Sequence, residues 1–363
     1  MPAIPELCVV IPVLNERDNI APLIARLDTA LAGIAWEVIY VDDDSTDGTR
    51  AAIAAAAASD PRVRMIHRVG RRGLASAFIE GARASFAPVL AAIDGDMQHD
   101  ETLLPLMLNA LRTQNADIVI GSRNVAGGGM GEWNKTRVGM SNAATWLSSI
   151  VLHAHVSDPM SGFFMLNRSC FDAAAPKLSA IGFKILLDII ASLPRPPHIV
   201  ELPYTFRSRQ HGESKLDAGV LRDFAMLLID KLVGHIVPVR FLLFAGVGAI
   251  GIAAHLLVLR LGLKLLNLSF AEAQTVATAC AILGNFMLNN AFTFRDARLR
   301  GRRFLLGLAI FAATSAVGAF ANISISAVLF GAPSGTWFLA GLAGAVMTLV
   351  WNYAVSSAVT WRK

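Results

Sequence analysis

The stretch "AAIDGDMQHD", Ala91–Asp100, decides how this chain is read. It leaves an apolar run, "VLAAI", and within ten residues meets Asp94, Asp96 and Asp100, with Gln98 and His99 between them. Carboxylates at that spacing repel one another unless positive charge is brought to them. An EF-hand loop is excluded, because it would need Gly and Glu where this chain has His99 and Pro105. An Asp-Gly turn accounts for a bend, but not for a strand that ends on two acids and Gln98. A hard divalent cation does, since Mg²⁺ or Mn²⁺ takes one or two carboxylates and completes its shell with phosphate oxygens.

Working outward, residues 7 to about 206 alternate short β-rich runs with helical patterns. The strand candidates are "LCVVI", "EVIYV", "VRMIH", "VLAAI", "DIVIG" and "IVELPYTF"; "RDNIAPLIARLDTALAGI", "GTRAAIAAAAAS" and "LASAFIEGARAS" read as helices. This βαβα order predicts an α/β domain with an open, Rossmann-like, mostly parallel sheet and helices on both faces. Ligands in such sheets sit at the carboxyl ends of strands. Both acidic clusters fall at such ends: Asp42–Asp44 after "EVIYV", and Asp94 with Asp96 after "VLAAI".

Charge divides the chain of 363 residues. Residues 240–363 hold ten Lys/Arg against only Glu272 and Asp296, whereas 1–239 hold 22 basic and 25 acidic residues. The overall net charge of +5 is therefore not the spread basic surface of a nucleic-acid binder. It belongs to an apolar third in which four runs, roughly 241–263, 271–293, 304–329 and 336–359, are long enough to span a bilayer. Arg240, "RDARLRGRR" (295–303) and Arg362–Lys363 mark the cytoplasmic ends by the positive-inside rule, and Arg260 and Lys264 would snorkel at the outer end of the first span. The start, "MPAIPELCVVIP", has neither the charged region nor the apolar length of a signal peptide, so the first domain is expected in the cytoplasm. Cys8, Cys170 and Cys280 have no metal-ligand spacing and read as reduced, buried thiols.

The segment "DAGVLRDFAMLLIDKLVGHIV" (217–237) has helical spacing, with Val220, Leu221, Phe224, Leu227, Leu228 and Leu232 on one stripe. It fits a helix lying in the membrane interface before the first span, or an amphipathic helix packed on the soluble domain. The apolar third also repeats itself. "RFLLFAGVGAIG" at 240 returns as "RFLLGLAIFAAT" at 303, and "GNFMLNNAFTFR" at 284 as "WNYAVSSAVTWR" at 351. In each second member an Asn (Asn285, Asn352) precedes a Thr-aromatic-Arg ending (Thr293, Thr360) by eight residues, which implies a parallel duplication of a helix pair.

Further blocks accompany the opening stretch. They are "IPVLNE" (Pro12, Asn15, Glu16), "VDDDSTDGT" (Asp42, Asp43, Asp47), "GSR" with "GGGMGEWNKTRVGMS" (Arg123, Trp133, Arg137, Ser141), "SDPMSGFF" (Asp158, Ser161, Gly162) and "FRSRQHGESKL" (Arg209, Gly212, Ser214, Lys215). With these, residues 7–216 resemble the GT-A-fold family 2 glycosyltransferases, and within them the dolichol- or polyprenol-phosphate mannose synthase group. The four-span tail is similar to a GtrA-like membrane domain. The resemblance implies a GT-A catalytic domain over 1–216, an interfacial helix or linker over 217–239 and an all-α transmembrane domain over 240–363. It implies inverting transfer of a hexose from a nucleotide sugar, GDP-mannose first, to a polyprenyl phosphate, on the cytoplasmic face of a bacterial inner membrane.

The same resemblance assigns roles. Asp94, Asp96 and Gln98 would hold Mg²⁺ or Mn²⁺; Arg123, Arg137 and Ser141 would bind the acceptor phosphate; Asp96, Arg123, Arg137 and Ser141 would act at the reacting centre. Pro12, Asn15, Glu16, Asp43 and Asp94 would line the nucleotide site, and Arg209 and Lys215 would close over its phosphates from a Gly-containing loop. His99 reads as an orienting or packing residue rather than a base, and Asp47 as a helix cap. Two positions depart from the family pattern: Gly95, where Ala is common, and Asp100, which adds an acid where Pro is usual. UDP-glucose is the alternative donor. A processive polysaccharide synthase would carry a Gln-x-x-Arg-Trp block, and none of Gln98, Gln114, Gln210 or Gln274 begins one. A non-catalytic protein that flips or recruits a lipid-linked sugar would have no need of the intact acid and arginine sets.

Overall fold

The computed structural model describes residues 4–129, 145–149, 151–152, 156–179, 182–207, 218–234, 237–330 and 337–362. Chain contacts divide it into two compact units, Met1–Leu232 and Val233–Lys363.

In the first unit β1 (Leu7–Val13) and β2 (Trp36–Asp42) are near-continuous apolar runs, as strands covered on both faces must be. They pair in parallel with each other, β2 with β3 (Val63–His67) and β1 with β4 (Val89–Ala92). The sheet is completed by β5 (Ile118–Ser122), β6 (Phe164–Asn167) and β7 (Ile199–Pro203), in the order β3-β2-β1-β4-β6-β5-β7. Only β6 runs against its neighbours. This four-residue strand was not among those expected, and it matters for the site. Because β6 is antiparallel, with Phe164 opposite Ala92, the turn that precedes it returns to the carboxyl end of β4.

Side chains alternate across the sheet. Val10, Ile39, Val41 and Leu90 enter one core with α3 (Leu74–Arg83), α5 (Arg168–Ala174) and α6 (Ile185–Ser192). Val9, Ile11, Val38 and Tyr40 enter the other with α1 (Arg17–Ala30), α2 (Thr49–Ser59) and α4 (Leu104–Thr113). In the first core Phe78 meets Phe164 and Phe171 at centroid distances of 5.3 and 6.2 Å; each such ring buried contributes about 1.5–3 kcal/mol.

The stripe expected over 217–237 forms α7 (Ala218–Val233). Phe224 and Leu227 are buried in the core of the first unit, and Lys231 reaches the fully buried Asp188 of α6 at 2.5 Å. The inner part of the stripe thus packs on protein, while Leu232 stays exposed.

The second unit contains α8 (Val239–Lys264), α9 (Phe270–Leu288), α10 (Arg302–Phe330) and α11 (Trp337–Val355). Among the described residues, α8 and the Arg302–Phe320 part of α10 are long and apolar enough to cross a membrane. Many of their large side chains, such as Ile252, Leu256, Leu305 and Leu306, face outward. The sequence repeat is also a repeat in space. α8 pairs with α9 and α10 with α11. Asn285 lies directly on Gly251 and Asn352 on Gly318, where an added Cβ would come within 2.2 and 2.7 Å of the amide oxygens. Each pair ends in a π turn, Asn289–Thr293 and Ser356–Thr360. The aromatic residues that follow, Phe294 and Trp361, stack at 4.4 Å and 3°.

Candidate active site

Three loops at the carboxyl ends of β1, β2 and β4 carry a non-glycine residue in the left-handed region: Asn15 (φ 57°), Asp44 (φ 63°) and Met97 (φ 62°). Such backbone persists where surrounding contacts impose it, and it clusters at functional sites. Asn15 is held by its N–H to Ser45 Oγ (2.8 Å) and by Thr46 N–H to its Oδ1 (2.9 Å), which ties the β1 loop to the β2 loop. Glu16 donates its N–H to Thr49 Oγ1 (2.8 Å) and accepts from Asn19 (2.6 Å); Pro12 sits in β1 opposite Val41. Asp47 accepts from the N–H and hydroxyl of Thr49 and from Arg17 N–H, but it stands one residue before the N-cap of α2, which is Gly48 (φ 99°), so it ties the β1 and β2 loops rather than capping the helix as expected.

The β4 loop is shaped by what it passes. At Gly95 an added Cβ would lie 2.7 Å from Val13 Cγ1, so the residue that departs from the family pattern is required by the neighbouring strand. Met97 turns the chain between Asp96 and Gln98, which flank it on one short loop. Asp94 Oδ2 accepts from His99 Nε2 (3.0 Å), and His99 Nδ1 meets Tyr204 Oη (2.9 Å). A carboxylate only accepts, so the Nε2 proton is on His99, and with a neutral imidazole the phenol is the donor to Nδ1. Burial raises the Tyr204 phenol far above its ordinary value, which keeps that proton in place. His99 is buried among Phe163, Tyr204 and Phe206, as an orienting residue would be. Burial alone would raise the Asp94 carboxyl, but the hydrogen bond from His99 and the nearby Lys184 and Arg123 charges hold it below the usual range. Gln98 donates Nε2–H to Arg207 O (3.0 Å), which turns its amide oxygen away from that partner. Asp96, buried, accepts from Gln98 N–H (3.2 Å). The added acid, Asp100, is matched by Arg207, whose guanidinium also takes Glu101, both at 2.8 Å.

Arg123, directly after β5, gives Nε and Nη2 to the two oxygens of Asp158 at 2.7 and 2.8 Å. Asp158 is fully buried and its backbone N–H donates to Glu201 (3.2 Å). The turn 158–162, which leads into β6, touches three charged groups in succession. Asp158 holds Arg123, Met160 O accepts from Lys184 Nζ (3.3 Å), and an added Cβ at Gly162 would meet the Asp94 carboxylate at 3.0 Å. Lys184, Tyr204 and Arg207 were not singled out from sequence. "GFK" before a helix and "PYTFR" after a strand carry no signal of their own; the β6 turn, itself unforeseen, brings Lys184 in.

At the end of β2, Asp43 is buried and both its oxygens are engaged, by Arg68 Nη1 (2.6 Å) and Gly73 N–H (2.7 Å). Burial raises its carboxyl more than those partners lower it. Asp43 therefore shapes the 68–73 loop beside the β2 end, with Arg68 also bound to Ser76 Oγ (2.6 Å). Trp133, Arg137, Ser141, Arg209, Gly212, Ser214 and Lys215 lie outside the described residues.

The arrangement suits a hard cation by its donor set. Asp94 has one oxygen committed to His99, Asp96 sits two residues on, and Gln98 uses its amide nitrogen on Arg207 O, so the set is two carboxylates and an amide oxygen. Oxygen donors of this kind select Mg²⁺ or Mn²⁺ over softer metals.

Comparison with known proteins gives the family. Residues 8–173 match the glycosyl transferase family 2 model, and 243–361 match the GtrA/DPMS transmembrane domain. The dolichol-phosphate mannosyltransferase of Pyrococcus furiosus is 34% identical over 361 residues, covering 97% of this chain and 98% of that protein. The undecaprenyl-phosphate mannosyltransferase of Micrococcus luteus is 35% identical over 219 residues, 58% of this chain and 88% of that one. Among solved structures, glucosyl-3-phosphoglycerate synthase from Mycobacterium tuberculosis, in complex with Mn²⁺, UDP and glucosyl-3-phosphoglycerate, is 19% identical. It aligns with a TM-score of 0.48 over 62% of this chain and 80% of that one.

Proposed function

This chain belongs to the dolichol-phosphate mannosyltransferase family of membrane glycosyltransferases, and we propose that it transfers mannose from GDP-mannose to a polyprenyl phosphate, with inversion, at the cytoplasmic membrane face. The observation that supports this most is the turn 158–162, which touches Arg123, Lys184 and Asp94 of the β4 loop in succession.

The chemistry follows from charge. A phosphate monoester has its second pKa near 6, so the acceptor is nucleophilic at neutral pH and no base has to take a proton from it. Its oxygen attacks the anomeric carbon while the bond from that carbon to the donor diphosphate breaks, and the nucleoside diphosphate leaves with the bonding electrons. The barrier lies in bringing two anions together, and it is lowered by preorganised positive charge in a water-poor site. A dication held by Asp94, Asp96 and Gln98 would neutralise the leaving diphosphate. Arg123, fixed by Asp158 through Nε and Nη2, would bring its charge to a phosphate, and Lys184 would add a second charge across the turn. Arg137 and Ser141 would complete the acceptor side, and Arg209 and Lys215 would cover the donor phosphates. Asp43, Pro12, Asn15 and Glu16 would shape the nucleoside pocket, and His99 would fix the rotamer of Asp94. The metal dependence, the donor and the membrane face, bacterial inner membrane included, are part of the same reading.

A donor panel tests it. Full-length protein in detergent is given a polyprenyl phosphate, Mg²⁺ or Mn²⁺, and GDP-mannose or UDP-glucose in turn. Mannosyl transfer that EDTA abolishes is expected; transfer from UDP-glucose alone, or undiminished transfer in EDTA, would reject the donor or the metal.

A further inference from the structure

The C-terminal unit carries a feature that sugar transfer does not use. Between α9 and α10, Arg295, Arg298, Arg300, Arg302 and Arg303 fall within nine residues, and all five are exposed. Among the described residues none of them is held in an ion pair. The loop that bears them is clamped. Asn290, 4% exposed in the first π turn, accepts Leu299 N–H through Oδ1 (2.8 Å) and donates Nδ2–H to Leu299 O (3.2 Å). The same Oδ1 accepts the indole N–H of Trp361 (3.0 Å), and that indole stacks on Phe294 at the loop's start. Leu299 is seated against Gly307, where an added Cβ would lie 2.3 Å from its Cδ1. Gly301, with φ 55°, turns the chain into α10, where Phe304 N–H bonds Gly301 O (3.1 Å).

A topology signal needs charge and nothing more. Ordering a loop has an entropic cost, and burying a three-way polar clamp demands that every partner be satisfied; neither serves topology. Two of the arginines also open α10, the end of a helix that disfavours cations. Fixed backbone fixes the spacing of guanidiniums, and that is useful for a compact anion with several oxygens. A phosphate monoester, close to a dianion at neutral pH, fits such a cluster. A diffuse layer of phosphodiester headgroups would be attracted equally by a disordered basic tail.

We propose that residues 295–303 form a fixed arginine platform that captures the phosphate monoester of polyprenyl phosphate at the membrane surface. It is a second phosphate-binding site, in the C-terminal unit, and it gives the four-helix tail a part in acceptor supply. It rests on the acceptor being a polyprenyl phosphate.

The experiment uses full-length protein in nanodiscs of neutral phospholipid, with binding of labelled polyprenyl phosphate measured without donor. Two variants are compared with wild type: Arg298→Gln/Arg300→Gln/Arg303→Gln, which removes charge, and Asn290→Ala, which keeps every charge and releases the clamp. Both are expected to weaken binding at least about tenfold, and the KM for polyprenyl phosphate should rise in step. Where Asn290→Ala does not yield folded protein, Trp361→Phe removes the N–H and retains an aromatic ring. Wild-type binding by the clamp variant would leave only a topology signal and overturn the proposal, as would equal loss of binding to phosphatidylglycerol nanodiscs. A protein that binds the lipid as described yet transfers no mannose would reject the proposed reaction alone. One that transfers mannose with lipid binding unchanged in both variants would reject the platform alone.

Discussion

Gly95 shows how a single residue is set by its neighbour. A methyl there would press on Val13 Cγ1 at 2.7 Å, and a β-branched side chain in a buried strand has little room to give. Gly95→Ala should therefore displace Asp94 and Asp96 and destabilise by roughly 1–3 kcal/mol. Val13→Ala in the same chain should restore both stability and transfer; a Gly95→Ala protein with wild-type melting and activity would show that the strand yields. The pattern of acids was legible in sequence because carboxylates after an apolar strand have few structural uses. The partners were not. Nothing in the chain announces that Asp158 would take both arms of Arg123, that Arg207 would neutralise Asp100, or that Tyr204 would set the tautomer of His99. Those contacts span dozens of residues, and no local period encodes them.

At the scale of elements, the expected β-rich runs all appear as strands, because buried parallel strands are uninterrupted apolar runs. β6 escaped because "FMLN" is short and follows a glycine-containing turn, so it has neither the length nor the alternation of a strand. The consequence was functional, since the turn before β6 is the one that collects Arg123, Lys184 and Asp94. α7 illustrates the opposite limit. Its stripe was clear, but a stripe does not say whether protein or lipid covers it. Lys231 makes the packing specific: its ammonium bonds Lys177 O (2.9 Å) and Ser192 Oγ (2.8 Å) besides Asp188. Removing one member of a buried pair costs about 3–5 kcal/mol, more than replacing both by apolar groups. Lys231→Met should thus lower the melting temperature of the protein in detergent, and Lys231→Met/Asp188→Leu should recover much of it. Equal melting of the single variant and wild type would mean that α7 is held by its apolar side alone.

The whole molecule joins a doubly covered sheet with acids at its strand ends to a duplicated helix pair whose outer faces are apolar. The duplication was readable as text, and the structure gives it a physical basis in the Asn-on-Gly contacts and the stacked Phe294 and Trp361. Each half would answer one part of the same difficulty, which is to handle phosphates beside a membrane. The first would bring two of them together, and the second would hold one in reserve.

The most direct test of that claim is calorimetric binding of GDP to the full-length protein, with Mn²⁺ or with EDTA, in wild type and in Asp96→Ala. Tight binding is predicted only for wild type with metal, and the alanine variant should lose about a hundredfold or more in affinity together with mannosyl transfer. Binding that is the same in EDTA, or an Asp96→Ala protein that binds and transfers like wild type, would contradict the account.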